Sequence, residues 1–174
     1  MKNLKFFALA IALASCNQEV RYTQTSPEID AYKKANAAYE NRDWESLKSF
    51  YSDTAKIQNN VLKKDAQTID QLIATNKDDE KMFSTWELDK KEAEYEMVRT
   101  DKGETWVNYW GIWRGTLKST GKVYEMPMML TARFFEGKIV REFGYWDTSK
   151  LALDLAEAGK TAIAEQVKTE VQKP

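Results

Sequence analysis

The dominant spacing of apolar residues changes near residue 82 of this chain, and that change restricts the fold more than any other feature. Up to about residue 82, apolar side chains recur every three or four positions, as Ile29 and Tyr32 do, which is typical of helices. From Met82 onward they alternate with polar residues, as Tyr95 and Met97 do, which is typical of strands. Helices followed by strands with short loops predict an α+β domain with an antiparallel sheet.

The predicted elements follow from this pattern and from the residues that begin helices. We expect Ser26 to cap a first helix that starts at Pro27, and Asp43 to cap a second. The third predicted helix runs near 65–77, and a closing helix begins near Asp147. The predicted strands are 55–58, 92–97, 105–110, 123–135 and 139–146.

The N-terminus has the layout of a secretory signal. Lys2 and Lys5 precede an apolar run, 6–14, that ends in small residues and is too short to span a bilayer. The segment LASC, which ends at Cys16, resembles the lipobox of bacterial lipoproteins. The alternative is an ordinary secretory signal in which the cysteine at this position is incidental.

The lipobox resemblance implies a location for the protein. In such lipoproteins a lipid such as palmitate is attached to the cysteine sulfur, here Cys16, and the chain is cut just before it. Two or three acyl chains anchor a protein far more firmly than one, because each buried methylene adds to the affinity. We therefore expect a lipid-anchored, extracytoplasmic protein of the bacterial cell envelope, with the membrane as a partner.

Composition excludes several kinds of chemistry. The chain has no histidine and one cysteine, so catalytic triads that need histidine are absent, as is the commonest transition-metal ligand. We expect no metal site and no cofactor. A net charge of −1 gives no basic surface for nucleic acid, and we expect no nucleic-acid partner.

Four short segments carry a second resemblance. They are DWESL at 43–47, YSD at 51–53, FFEGKIV at 134–140 and YWD at 145–147. Their order and spacing across 27–158 resemble the SnoaL-like branch of the nuclear-transport-factor-2-like superfamily. The resemblance implies a cone, in which a curved antiparallel sheet wraps around the N-terminal helices and leaves a pocket at the wide end. The family includes polyketide cyclases, epoxide hydrolases, ketosteroid isomerases and members without known activity.

The same resemblance indicates a candidate acid. In the family's enzymes an acid in the Tyr-x-Asp position projects into the pocket, which makes Asp147, with Tyr145 on the same strand face, the candidate catalytic pair. The alternative is structural, because Asp147 precedes a helix and is well placed to cap it.

The candidate ligand-binding residues are aromatic, apart from one amide. Trp106, Asn108 and Trp110 are two apart, so they share one face of their strand, and Asn108 would be a polar group in an aromatic wall. Tyr145 and Tyr51, the latter from the YSD segment, complete the set. We expect Trp106, Asn108, Trp110, Tyr145 and Asp147 to converge on one cavity; a register shift in either strand would separate them.

The sequence favours a binding or accessory role over catalysis, because it lacks histidine and no spacing forces two carboxylates together. We expect the domain to bind a small apolar or aromatic ligand, or a partner, with a homodimer through the sheet face as a further expectation. The alternative is a metal-independent cyclase, isomerase or hydrolase that uses Asp147 and Tyr145. We expect the chain to divide into four segments. They are a signal peptide at 1–15, a tether at 16–26, the cone domain at 27–158 and a charged tail, frayed helix or disordered, at 159–174.

Overall fold

The structure is a computed structural model that describes the backbone of residues 20–171 and the side chains up to residue 160. The predicted signal peptide and Cys16 lie outside the described residues. The helices are α1 (Pro27–Glu40), α2 (Trp44–Ser49), α3 (Ile69–Met82) and α4 (Ser149–Val171), with a short 3₁₀ turn at Lys63–Asp65. The strands are β1 (Tyr22–Thr23), β2 (Tyr51–Asn59), β3 (Phe83–Leu88), β4 (Glu94–Arg99), β5 (Thr105–Leu117), β6 (Val123–Phe135) and β7 (Lys138–Trp146).

Side-chain caps fix where the helices begin. The Ser26 hydroxyl accepts the N–H of Ile29 at 3.2 Å, and the Asp43 carboxylate accepts the N–H of Ser46 at 3.1 Å, so both predicted caps are confirmed. The third helix begins later than predicted because Thr68 and Gln71 form a reciprocal capping box at its start. The helix then continues to Met82 rather than ending near residue 77.

The strands form one curved, unclosed sheet in the order β1-β4-β5-β6-β7-β2, with β3 paired to the far end of β5. Pairs from β4 through β7 are antiparallel, as predicted, whereas β2 pairs with β7 in parallel. The sheet is therefore mixed, and the predicted α+β class is confirmed.

The sheet has an inner face, turned toward the helices, and an outer face. Val107 and Tyr109 of β5 lie on the inner face and are fully buried. Tyr32 of α1 packs edge-on against Phe134 of β6, with ring centroids 6.2 Å apart, which places α1 against the same face. Apolar burial between the helices and this face is the main stabilising contribution to the core.

The C-terminal helix crosses a predicted boundary. It runs from Ser149 to Val171 and so includes residues 159–171 of the predicted tail. The tail was expected to be either helix or disorder, and it is helical as far as Val171. The Tyr124 hydroxyl on β6 donates to Asp154 at 2.8 Å, which holds the first part of the helix against the sheet. Within the described part of the chain, the helices are too short or too polar to cross a membrane.

Candidate functional site

A cavity of about 390 Å³ lies between the helices and the inner face of the sheet. Aromatic, methionine and leucine side chains make up most of its wall, as is typical of ligand sites. Its apolar lining residues are Tyr39, Leu47, Tyr51, Val61, Leu72, Met82, Phe83, Leu88, Trp113, Met126, Met128, Leu130, Trp146 and Leu151. Its polar lining residues are Asn36, Asn59, Gln67, Thr75, Asn76, Asp79 and Glu142.

Glu142 of β7 is the most deeply buried acid in this wall, with 3% of its surface exposed. Three donors converge on its carboxyl group. The Tyr51 hydroxyl donates at 2.7 Å and the Tyr32 hydroxyl at 3.1 Å, both to Oε2, and the Asn59 amide donates to Oε1 at 3.3 Å. The carboxyl group is therefore fixed in position by α1 and β2, the two elements packed around it.

Burial controls the protonation of this cluster. Burial raises the pKa of Glu142, and the hydrogen bonds from Tyr51, Tyr32 and Asn59 oppose that rise only in part. Burial, followed by the charge on Glu142, raises the pKa values of Tyr32 and Tyr51 well above their ordinary value, so both remain hydrogen-bond donors. Glu142 is thus a carboxyl group able to hold or release a proton nearer neutrality than an exposed glutamate.

A glycine on the neighbouring strand leaves space for the Asn59 side chain. A Cβ atom on Gly144 would lie 2.5 Å from the Asn59 Oδ1 atom and 2.6 Å from a ring carbon of Trp146, closer than real Cβ contacts allow. Glycine at this position therefore makes room for two side chains of the cavity wall. The Asn59 Oδ1 atom is buried and has no hydrogen-bond partner within the described residues.

Asp79 of α3 is a second acid in the wall. Burial, followed by the charge on Asp78, raises the pKa of Asp79. No described side chain pairs with its carboxylate, whereas the neighbouring Asp78 pairs with Lys81 at 2.6 Å. Burial raises the pKa of Tyr39, which also lines the cavity, and the charge on Asp79 adds to that rise. Asp79 therefore presents an uncompensated carboxylate to a largely apolar cavity.

The predicted site residues lie together, but on the other side of the sheet. Trp110 pairs with Met129, which pairs with Tyr145, so the three side chains form a row on the outer face. Trp110 is 36% exposed and Tyr145 is 55% exposed. Trp106 stacks on Phe143 of β7 on the same face, with ring centroids 6.0 Å apart.

The prediction that these residues converge on the cavity is therefore wrong. Trp106, Asn108, Trp110 and Tyr145 do share one face, as strand parity predicted, but none of them lines the cavity. Asn108 donates to Glu96 at 3.0 Å and accepts from Thr131 at 2.6 Å, so both ends of its amide have a partner on the outer face.

Asp147 stabilises the start of α4, which agrees with the alternative prediction that it caps a helix and does not act as a catalytic acid. Its Oδ1 atom accepts the N–H of Ser149 at 2.8 Å, and interactions with the Ser149 side chain and then with this N–H lower the pKa of Asp147. The carboxylate is exposed and outside the cavity wall. A low-pKa acid in solvent has none of the features of a pocket acid, whereas the predicted residue Tyr51 does lie in the wall beside Glu142.

Sequence reasoning missed Glu142, Asn59 and Asp79. A signal existed for Glu142, because it lies inside the mainly apolar strand 139–146, in which Arg141 is the only other charged residue, and acids are rarely buried without a role. Asp79 carried no such signal, since it belongs to the charged run 77–81. Such runs are usually solvated, and only the packing of α3 shows which member faces inward.

Comparisons by sequence give no relative. No family model matches the chain, and no curated protein matches it. The structural comparison is different, because many solved structures share its architecture.

A candidate polyketide cyclase from Xanthomonas campestris pv. campestris superposes with a TM-score of 0.60 at 13% identity, over 74% of this chain and 96% of that chain. IdmH, a candidate polyketide cyclase from Streptomyces antibioticus, gives 0.60 at 18% identity, over 76% of this chain and 99% of that one. A hypothetical protein from Catenulispora acidiphila with a ketosteroid isomerase-like fold, in complex with trimethylamine, gives 0.57 at 15% identity, over 72% and 89%.

The fold is the NTF2-like cone. At these identities the likeness establishes the architecture and not the activity. The cone places the concave side of the sheet over the helices, so the position of the cavity follows from the fold, while the residues that line it are this chain's own.

Proposed function

We propose that this chain is a lipid-anchored, extracytoplasmic protein whose cone domain binds a small, mostly apolar molecule in the cavity. The observation that carries the proposal is the cavity itself, about 390 Å³ in volume and walled mainly by aromatic, methionine and leucine side chains. Such a volume suits a molecule of metabolite or drug size. The anchoring part of the proposal is supported by the lipobox-like segment that ends at Cys16.

Titration with prodan, a neutral fluorophore that brightens in apolar surroundings, tests the binding proposal. Met128 lines the cavity, and the adjacent Met129 lies on the outer face, so the two residues provide a matched pair. We expect the wild-type protein and Met129→Trp to bind prodan equally. Met128→Trp should bind it at least tenfold more weakly, because an indole fills part of the volume. Equal binding by all three proteins, or none by the wild type, would contradict the proposal.

A second experiment tests the anchor. Metabolic labelling with palmitate should label the wild-type protein, and replacement of Cys16 with serine should abolish the label and release the protein from membranes. Label that persists in Cys16→Ser would exclude a lipid on that sulfur.

A metal-independent enzyme is the second candidate function, and Glu142 is the observation that favours it. A buried carboxyl group with a raised pKa beside empty volume is what proton transfer to or from a bound molecule requires. This role belongs to Glu142 rather than to Asp147 and Tyr145, which lie outside the cavity. Several solved structures with this fold are candidate cyclases, and one is a candidate hydroxylase from Streptomyces galilaeus.

Turnover and binding separate the two functions. Mass spectrometry of small molecules that co-purify with the native protein would supply the compound to assay. For an enzyme, Glu142→Gln should abolish turnover while binding survives, because only the proton transfer is lost. For a binding protein, the compound should be recovered unchanged after incubation with the wild type.

A further inference from the structure

Two acids and no base lie in the cavity wall. Among the described residues that line it, Glu142 and Asp79 carry carboxyl groups and none is a lysine or an arginine. An anionic ligand would lose its hydration and meet only like charge, which is strongly unfavourable in a cavity of low dielectric constant. The composition of the wall therefore favours a neutral or cationic ligand.

The two acids differ in what they already bind. Glu142 receives hydrogen bonds from Tyr51, Tyr32 and Asn59, so its charge is stabilised within the protein. No described side chain pairs with the Asp79 carboxylate. Asp79 is half-buried beside a largely apolar wall and loses part of its hydration there, so among the described lining residues it is the acid that a cationic group from outside would stabilise most.

The neighbouring wall suits a cation with an apolar body. Tyr39 lies within electrostatic range of Asp79, and the Trp113 indole donates to the Tyr39 hydroxyl at 2.9 Å. Phe83 meets Trp113 edge-on, with ring centroids 5.1 Å apart. All three aromatic side chains line the cavity, and aromatic rings attract cations as well as apolar groups.

We propose that the ligand of the cavity is an apolar amine in its protonated form, with its ammonium group paired to Asp79 and its apolar part against the aromatic wall. This inference rests on the proposed function, because it requires that the cavity bind a small molecule at all. It adds the chemical class of that molecule and names Asp79 as the residue that selects it.

Three probes of one shape and three charges test the inference. They are phenethylamine (a cation at neutral pH), phenethyl alcohol (neutral) and phenylacetate (an anion), each titrated into the protein by calorimetry. We expect phenethylamine to bind about tenfold more tightly than the alcohol, because a hydrogen bond to a charged group is stronger than a neutral one. Phenylacetate should bind most weakly.

The matched variants are Asp79→Asn and Asp78→Asn, which remove one charge each from adjacent positions of α3. Asp79→Asn should reduce phenethylamine binding to the level of the alcohol and leave alcohol binding unchanged. Asp78→Asn, whose carboxylate pairs with Lys81, should keep the full preference for the amine. Both sites tolerate asparagine sterically, and circular dichroism would confirm that each variant is folded.

The outcomes separate the inference from the proposed function. Equal binding of amine and alcohol to the wild type, tightest binding of phenylacetate, or a preference that survives Asp79→Asn would overturn the inference while the cavity remains a binding site. Absence of binding for all three probes, together with failure of prodan to bind, would overturn both.

Discussion

An asparagine and a glutamate are paired on each face of the sheet, Asn108 with Glu96 outside and Asn59 with Glu142 inside. The outer pair joins β5 to β4 at 3.0 Å, and Asn108 has a further partner in Thr131 at 2.6 Å. The inner pair is longer, at 3.3 Å, and leaves the Asn59 Oδ1 atom without a partner within the described residues.

The difference between the pairs comes from burial and not from residue type. Burial raises the pKa of Glu142, and the same surroundings leave a polar atom of Asn59 unsatisfied. On the outer face, solvent and Thr131 satisfy the equivalent groups. Reactive or ligand-seeking chemistry therefore belongs to the inner face, and tests that change one face at a time check this conclusion.

The largest expected contrast is between two tryptophans of β5. Trp113 lies on the inner face and is 7% exposed, whereas Trp110 lies on the outer face and is 36% exposed. Trp113→Ala should lower the free energy of unfolding by about 3–5 kcal/mol, because it opens a cavity in the core. Trp110→Ala should lower it by less than about 1 kcal/mol. Urea unfolding measures both, and equal losses would contradict the assignment of the faces.

Gly144 should be the next most sensitive position. Gly144→Ala places a methyl group against Asn59 and Trp146, and overpacking of this kind costs about 1–3 kcal/mol of unfolding free energy. Gly159 lies in α4 with open space around it, so Gly159→Ala should instead stabilise the protein by about 0.5–1 kcal/mol. Prodan titration should show weaker binding for Gly144→Ala alone. Unchanged stability in that variant would mean that the wall of the cavity is looser than the structure shows.

The buried acids give the third expected effect, a dependence of stability on pH. The pKa of Glu142 is raised above its ordinary value of 4.5 in the folded state, so the folded state binds more protons than the unfolded state between the two values. Its contribution to stability is therefore fully present below pH 4.5 and is lost as the pH rises through the raised value. Asp79 contributes with the same sign.

Urea unfolding between about pH 4 and pH 8 measures this dependence. Glu142→Gln should remove much of the decline, because glutamine does not titrate, and the Asp79 contribution should remain. Glu136→Gln is the control, since it removes an exposed carboxylate in the turn between β6 and β7 and should leave the decline intact. A decline of full size in Glu142→Gln would show that other groups cause it.

Local signals predicted much of the fold. The caps at Ser26 and Asp43 and the strand 123–135 depend on residues close in sequence, so they could be read directly. The start of α3 differs from the predicted one because the Thr68–Gln71 capping box begins the helix, and both residues of that local signal are present in the sequence. The parallel pairing of β2 with β7 joins segments about ninety residues apart, and no local pattern specifies it.

The candidate site was harder to predict than the fold, because strand parity groups residues by face without showing which face the helices cover. Parity showed that Trp106, Asn108 and Trp110 share a face, but it does not show which face the helices cover. That choice depends on the whole set of apolar contacts, here those of Val107, Tyr109 and their neighbours with the helices. Parity alone therefore places the two tryptophans and Asn108 on one face without showing that this face is the outer one, and the burial of Glu142 depends on the same contacts.

The smallest expected effect is that of Asp147→Asn. It compares an acid outside the cavity with Glu142 inside it. Asp147→Asn should leave prodan and phenethylamine binding unchanged, because the side chain is outside the cavity and asparagine also accepts the N–H of Ser149. Stability at neutral pH should change little for the same reason. If the chain proves to be an enzyme, Asp147→Asn should retain turnover while Glu142→Gln loses it. The reverse result would mean that the catalytic acid lies at the end of β7 and not within the cavity.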